Sequence, residues 1–372
     1  MTKYNGTYYL QYAAPGTAEK SYANGCYISE SPTGPFTFCE HSPISFKATG
    51  FLPGMGHGSL IQDKYGGWWK FDTAALAVHH YFERRLVMFP ADFNDKDELI
   101  TNAVFSDYPL YRPSQSRSFS SPAPCWMLLS CAQAAASSSL PEHLPDQAFN
   151  EDIRSRWSAE TDNAGEWLTA DLGALKTLHA LQINFADQDV PEDIHGRDNT
   201  YCYTYLVELS QDGQEWYLLI DKSEAFAEPN KAQDSSHDYF ELEEAVRVRY
   251  IRITNKGTVP GTGKFSISGL RLFGHGQGKK PPAVSVLTAD RQNSDRRSAT
   301  ISWNSVSGAE GYIVRYGIRP DMLNIHYQVT GKNSVTLRNL NVNPDYHFRV
   351  DAYNENGVTQ GITIINTGSD ES

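Results

Sequence analysis

Gly54-Met55-Gly56-His57-Gly58-Ser59, followed by Gln62-Asp63-Lys64-Tyr65-Gly66-Gly67-Trp68-Trp69, decides how the opening segment of this chain folds. Three glycines around one histidine let a backbone approach a ligand closely and hold an imidazole where a bulkier loop could not. The turn residues and the aromatic run after them predict a strand packed under that loop. Working outward, Tyr8–Tyr12, Cys26–Ser29, Gly67–Phe71, Phe82–Pro90 and Asp107–Pro109 read as short aromatic strands between Gly, Pro and Asn turns. The Met1–Gly6 stretch running into Thr7–Tyr12 reads as a hairpin already inside a fold. No helical period persists over three turns, so the segment is all β.

With 372 residues, the chain has room for about two to four domains. Only 20% of residues are charged, which argues against wholesale disorder. The net charge of −12 argues against a nucleic-acid partner. Aromatic content of 12% suits a β-rich, sugar-handling protein, although most of these rings are expected to fill β cores. The five cysteines Cys26, Cys39, Cys125, Cys131 and Cys202 show no C-x-x-C spacing, which disfavours a zinc or redox motif. A bridge such as Cys26–Cys39 is left open, and with it the compartment. No targeting segment opens the chain. The apolar run Cys125–Cys131 is internal and too short to span a bilayer, and reads as the first strand of a domain.

Texture divides the sequence at two linkers. Residues 1–112 hold the aromatic strands, and the Ser- and Pro-rich 113–124 is a linker. Residues 125–275 show period-2 strands such as Tyr205–Ser210, Trp216–Ile220 and Arg247–Ile253, with a sharp turn at Gln211-Asp212-Gly213. After Lys279-Lys280-Pro281-Pro282, residues 279–368 alternate again, with Tyr346, Phe348, Val350 and Ala352 pointing one way.

The first segment resembles glycoside hydrolase family 43. The marks are Tyr4–Leu10, Ser31-Pro32-Thr33-Gly34-Pro35-Phe36, the Gly54–Ser59 run and Phe82-Glu83-Arg84-Arg85, over residues 1 to about 109. The second resembles the discoidin, or factor V/VIII type C, family through Arg156–Ala159, Trp167–Gly173, the Ser210–Gly213 turn with Trp216, and Tyr250–Ile253. The third resembles a fibronectin type III module through Trp303 and the Leu340…Tyr346 spacing. The resemblances imply an all-β chain: a partial five-bladed β-propeller, a discoidin-like β-sandwich (jelly roll), and a fibronectin type III β-sandwich. Blades of roughly 40–50 residues give the first segment about two blades and part of another.

Family 43 implies inverting hydrolysis of arabinose- or xylose-containing glycans by two carboxyl groups about 6.5–9.5 Å apart. By the resemblance, the acid and base lie upstream of Met1, so this chain is expected to be inactive alone. Glu19, Glu30, Asp63, Asp72 and Glu83 are not read as a substitute pair, and no catalytic residue is assigned. His57 is implied to sit near the propeller axis, where it binds a central cation such as calcium, or else is hydrogen-bonded in a tight turn. Arg84 and Arg85 reach the sugar, or pair with Glu83. Tyr22 and Trp68 line the cleft, or pack the core. Two or three blades leave strand edges open, so residues 1–109 need a covering partner: the discoidin-like domain or another chain, such as an N-terminal propeller chain.

In the second segment, the irregular stretch 187–201 offers His195, Arg197, Asn199 and Tyr201 to a sugar, or serves as an insertion packed on the propeller. Asn150 and Asp152 occupy a place where related domains often hold calcium, although both are ordinary turn formers. The third module is a spacer or docking surface. The implied protein is the C-terminal part of a modular glycoside hydrolase that binds polysaccharide or oligosaccharide and is secreted, periplasmic or cell-surface. The alternatives are a non-catalytic carbohydrate-binding or adhesion protein, and one subunit of a split propeller.

Overall fold

The first two sheets divide the opening segment at the Gly54–Ser59 loop. In the computed structural model, which describes residues 1–76, 83–112, 124–190, 202–224, 237–259 and 263–368, β1 (Thr2–Tyr4), β2 (Thr7–Ala14), β3 (Ala23–Ser29) and β4 (Thr37–Phe38) form an antiparallel meander, with β5 (Ser45–Phe46) also paired to β3. Asn5 and Gly6, at φ 43° and 88°, make the β1–β2 turn, as expected for a two-residue hairpin. The second meander is β6 (Met55–Gln62), β7 (Trp68–Ala75), β8 (Arg84–Phe93) and β9 (Leu99–Thr101). These are two blade-like sheets. Asp107 and Tyr108, expected in a strand, lie instead in a turn. Asp107 is drawn inward there by Lys47, whose Nζ lies 3.1 Å from its carboxylate.

The described residues form two units, one made of those in Met1–Ala77, Arg84–Cys125 and Lys279–Ser372, the other centred on Trp126–Gly278. In the second unit, β10 (Met127–Leu128), β11 (Gln133–Ala136), β12 (Trp157–Ser158), β13 (Trp167–Phe185), β14 (Cys202–Ser210), β15 (Tyr217–Asp221), β16 (His237–Val259) and β17 (Ser266–His275) join in one sheet network. Strand β13 is 19 residues long and β16 is 23, and their ladder shifts register between Asp171 and Lys176 and again between Leu178 and Ala180. Such bulges bend a strand, letting it contribute to one core along its whole length. Trp157, Phe185, Tyr205, Phe265 and Ile267 fill that core. The Cys125–Cys131 run supplies only the two residues of β10 to the sheet.

The third segment has β18 (Leu287–Asp290), β19 (Ala299–Trp303) and β22 (Ser334–Leu337) in one sheet. The other sheet holds β20 (Gly311–Gly317), β21 (Ile325–Thr330), β23 (His347–Asn354), β24 (Gly357–Thr359) and β25 (Ile365–Asn366). Trp303 and Tyr346 are buried, and the Tyr346 hydroxyl accepts a hydrogen bond from the Asn341 N–H at 3.0 Å. That tyrosine corner locks the loop before β23.

This module covers the blades within the first unit. Phe46 of β5 belongs to the same hydrophobic cluster as Trp303, Tyr312 and Tyr316. Lys47 Nζ donates to Gln328 Oε1 at 3.2 Å, and the Gln328 N–H donates to Thr49 Oγ1 at 2.9 Å. Arg319 forks onto Glu98, with Nη1 donating to Oε1 at 2.8 Å and Nη2 to Oε2. The cover expected from another domain or chain is therefore supplied, at least in part, by the third module.

The Arg319 fork, opposed by partial burial and helped by Asn94, holds the Glu98 carboxyl down at about 2, against an ordinary 4.5. A depressed folded value means that the stabilisation is fully present above about pH 4.5 and is lost as pH falls towards about 2. Comparison of chemical denaturation at pH 6 and pH 2.5 is expected to show the wild type losing roughly 1–2 kcal/mol more than Glu98→Gln, a figure discounted for solvent screening. Equal losses would show that the pair contributes nothing to the docking.

Candidate functional site

The Gly54–Ser59 loop folds around protein groups as much as it opens to solvent. On β6, Gly56 pairs with Thr73 and Ser59 with Phe71, so His57 and Gly58 together oppose Asp72 across a β-bulge. A Cβ on Gly56 would lie 2.3 Å from the Tyr22 ring, and one on Gly58 would lie 1.8 Å from Asp72 Oδ1 and 1.9 Å from the Phe71 carbonyl oxygen. Two of the glycines read as room for a ligand thus make room for Tyr22 and for a carboxylate. His57 sits at the bulge with φ 53°, exposed to solvent. A β-carbon in the left-handed region is strained, and such strain at an exposed histidine is a common mark of a functional position.

Behind the bulge lies a buried polar network. Asp72 and Lys70 project from the same face of β7, both fully buried, with Nζ 2.8 Å from Oδ1. The contact is an ion pair rather than a well-directed hydrogen bond, since neither atom meets hydrogen-bond geometry with any partner. Asp72 Oδ2 accepts from Asn24 Nδ2 at 2.8 Å and from Ser45 Oγ at 2.7 Å. Asn24 Nδ2 also reaches the Met55 carbonyl at 3.2 Å, which ties the network to the first residue of β6. Three strands from two sheets therefore fix the carboxylate over which Gly58 is laid.

Of the five residues expected at a sugar cleft, four gather at this end of the sheet. Arg84 and Arg85 pair with Ala75 and Ala74, beside the Met55–Ala74 and Gly56–Thr73 pairs. Tyr22 is 4% exposed, so it packs under Gly56 more than it faces a cleft. Burial raises its phenol, Asp72 adds to the rise and Arg84 opposes it, which places both charges near the ring. Trp68 is elsewhere. It pairs with Gln62, about five residues or ~17 Å along β7 from Thr73. There it packs edge-on to Tyr4 and Phe93 at 6.1 and 5.2 Å, as a core residue. Lys70, Asn24 and Ser45 had no local signal. Only a period-2 reading of β7 that put its charged side inward would have found Lys70 and Asp72.

The second unit gives less. His195, Arg197, Asn199 and Tyr201 lie outside the described residues. Asn150 Oδ1 accepts from the Asp152 N–H at 3.1 Å, and Asp152 Oδ1 from the Arg154 N–H at 3.1 Å, as in turns closed by their own side chains. Between them Glu151 forks onto Arg271, which is 2% exposed, with both bonds at 2.8 Å. Calcium needs six to eight oxygen ligands. The oxygens at Asn150 and Asp152 serve their own turn, and no group of three or more His, Cys, Asp and Glu able to hold a metal occurs among the described residues.

Residues 1–97 match the model of the glycosyl hydrolases family 43, residues 133–268 that of the F5/8 type C domain, and residues 282–365 that of the fibronectin type III domain. No curated protein matches the chain. A solved structure of a glycoside hydrolase aligns at 21% identity, covering 73% of this chain and 58% of its own, with a TM-score of 0.39. The chain thus spans 58% of that hydrolase's length. The CBM32 of AlyQ, in complex with 4,5-unsaturated mannuronic acid, aligns at 21% identity over 40% of this chain and 98% of its own, TM-score 0.31. The family 32 CBM from C. perfringens NanJ, in complex with galactose, aligns at 16% identity over 38% and 92%, TM-score 0.30. In chain order, then, the protein carries a glycosyl hydrolases family 43 segment, an F5/8 type C domain and a fibronectin type III domain.

Proposed function

We propose that the chain serves a modular glycoside hydrolase acting on arabinosyl or xylosyl linkages of polysaccharides outside the cytoplasm. In this reading the family 43 segment forms one wall of the sugar cleft, and the F5/8 type C domain holds the glycan. The observation that carries it is the strained, exposed His57, set over the Asp72 network at the end of the sheet where Arg84 and Arg85 begin β8, inside the segment that matches family 43. A guanidinium offers forked donors to vicinal hydroxyls, and a fixed imidazole offers one more polar contact. The stretch 187–201 of the second domain is the proposed glycan contact there, through His195, Arg197, Asn199 and Tyr201.

The wall alone does not supply the chemistry. Inversion needs one carboxylate open to a water and another open to the leaving oxygen. Asp72 is fully buried behind Gly58 and bonded to Asn24 and Ser45, so it activates no water. The purified 372-residue chain is therefore expected to bind arabinoxylan-type oligosaccharides in titration calorimetry and to release no aglycone from aryl-arabinosides or aryl-xylosides. Turnover would overturn the inactive reading. Absence of binding to any pentose-containing glycan would overturn the cleft and the glycan-holding domain together. Binding that survives His57→Ala and Arg84→Ala but is lost on Tyr201→Ala would favour a carbohydrate-binding protein whose first segment is only a scaffold.

A further inference from the structure

Cys26 and Cys39 face each other across the first blade. The β3–β4 ladder pairs Tyr27 with Phe38 and Ile28 with Thr37, and the next step along it brings the two cysteines opposite. The Cys39 N–H donates to the Cys26 carbonyl at 3.0 Å. Both are free thiols, 0% and 5% exposed, enclosed by Tyr9, Ile44, Phe93 and Leu99. Each shifts the other: Cys39 beside it and burial raise the Cys26 thiol, whose Sγ meets the Tyr27 carbonyl at 3.5 Å, while Cys26 lowers that of Cys39 and so favours its thiolate. The Cys131 side chain is set differently. Cys131 donates to the Gln133 carbonyl at 3.3 Å, and burial pushes its thiol up to about 12.

We propose that Cys26 and Cys39 are an oxidation site, at which a disulfide closes across β3 and β4 by exchange with a soluble disulfide such as oxidised glutathione. The Cys39 thiolate attacks one glutathione sulfur, forming a mixed disulfide and expelling the other glutathione as thiolate. Cys26 gives its proton to that thiolate and attacks the Cys39 sulfur, and the second glutathione leaves and takes up a proton. Two protein thiols and one glutathione disulfide become one protein disulfide and two glutathione thiols, with electrons and protons balanced. Access comes from the edge. Strand β4 is only Thr37–Phe38, exposed on both residues, and short edge strands open locally at low cost.

The bridge has a reason to sit here. The segment after Cys39 turns through Ser42, whose Oγ accepts the Cys26 N–H at 3.1 Å, and then runs into β5. Ser45 of β5 bonds Asp72, and Phe46 enters the cluster of the third module. A covalent link at Cys39 therefore pins the stretch that joins the blade to the site and to its cover.

The test incubates the full native chain with oxidised glutathione, removes the reagent, unfolds, alkylates and maps peptides by mass spectrometry. The expected result is a linked Cys26–Cys39 peptide, with 5 − 2 = 3 thiols left to titrate and a raised midpoint of thermal unfolding. In Cys39→Ser, no intramolecular link at Cys26 and no shift in midpoint are expected. Alkylation of both Cys26 and Cys39 after oxidation would overturn the proposal, as would a link joining either of them to Cys125, Cys131 or Cys202. The wild-type peptide map decides this by itself if the serine variant does not fold.

Discussion

Replacing Asp72 by alanine is expected to destabilise the first unit by about 3–5 kcal/mol, the usual cost of stranding one member of a buried ion pair. Both Asp72 and Lys70 are fully buried, 2.8 Å apart. Without the carboxylate, the Lys70 ammonium loses its paired counter-charge, and Asn24 and Ser45 each lose an acceptor held at 2.8 and 2.7 Å. Urea denaturation followed by tryptophan fluorescence measures the loss, since Trp68 and Trp69 begin the same strand. The double variant Lys70→Met/Asp72→Leu is expected to recover much of it, because an apolar pair of similar volume costs little where a lone charge costs much. Asn24 keeps its bond to the Met55 carbonyl, so recovery should be incomplete. A loss under about 1 kcal/mol for Asp72→Ala would mean that water reaches the pair and that the network is not the anchor of the bulge.

The same strand shows what the sequence could and could not say. Trp68, Trp69 and Phe71 make β7 legible as a strand, because aromatic residues are enriched there. They also mislead about which face is inward. Trp69 and Phe71 are only half-buried while Lys70 and Asp72 are fully buried. Two opposite charges on alternate residues neutralise each other, so an apparently polar face becomes an inner one. Their other partners, Asn24 and Ser45, lie 48 and 27 residues from Asp72, beyond any local pattern. Hairpins fared better: Asn5-Gly6 names its own turn. The Trp303 and Leu340…Tyr346 marks of the third module likewise correspond to a buried ring and a tyrosine corner. That module's hold on the blades was not legible, because the Arg319–Glu98 fork spans 221 residues and nothing near Phe46 in the sequence marks its distant partners.

Gly58→Ala and His57→Gly separate architecture from function within two adjacent residues. At position 58 a methyl group would overlap Asp72 Oδ1 at 1.8 Å and the Phe71 carbonyl oxygen at 1.9 Å. The first is held by Asn24, Ser45 and Lys70, by way of both its oxygens, and the second is backbone, so neither can yield without unpairing the sheet. A loss of about 3 kcal/mol or more is expected, at the upper end for overpacking. At position 57 the sign changes. Histidine at φ 53° carries left-handed strain of roughly 1–2 kcal/mol, which glycine relieves while losing roughly 0.5–1 kcal/mol to the greater freedom of the unfolded chain. His57→Gly should therefore unfold within about 1 kcal/mol of the wild type. In the proposed reading its glycan affinity, measured by calorimetry, should fall nonetheless, because the imidazole is exposed at the bulge and open to a sugar. A His57→Gly chain with full affinity would remove the histidine from the site and leave the bulge as a purely structural device. A Gly58→Ala chain of wild-type stability would mean that the β-bulge can shift, and that Asp72 is not what fixes His57 in place.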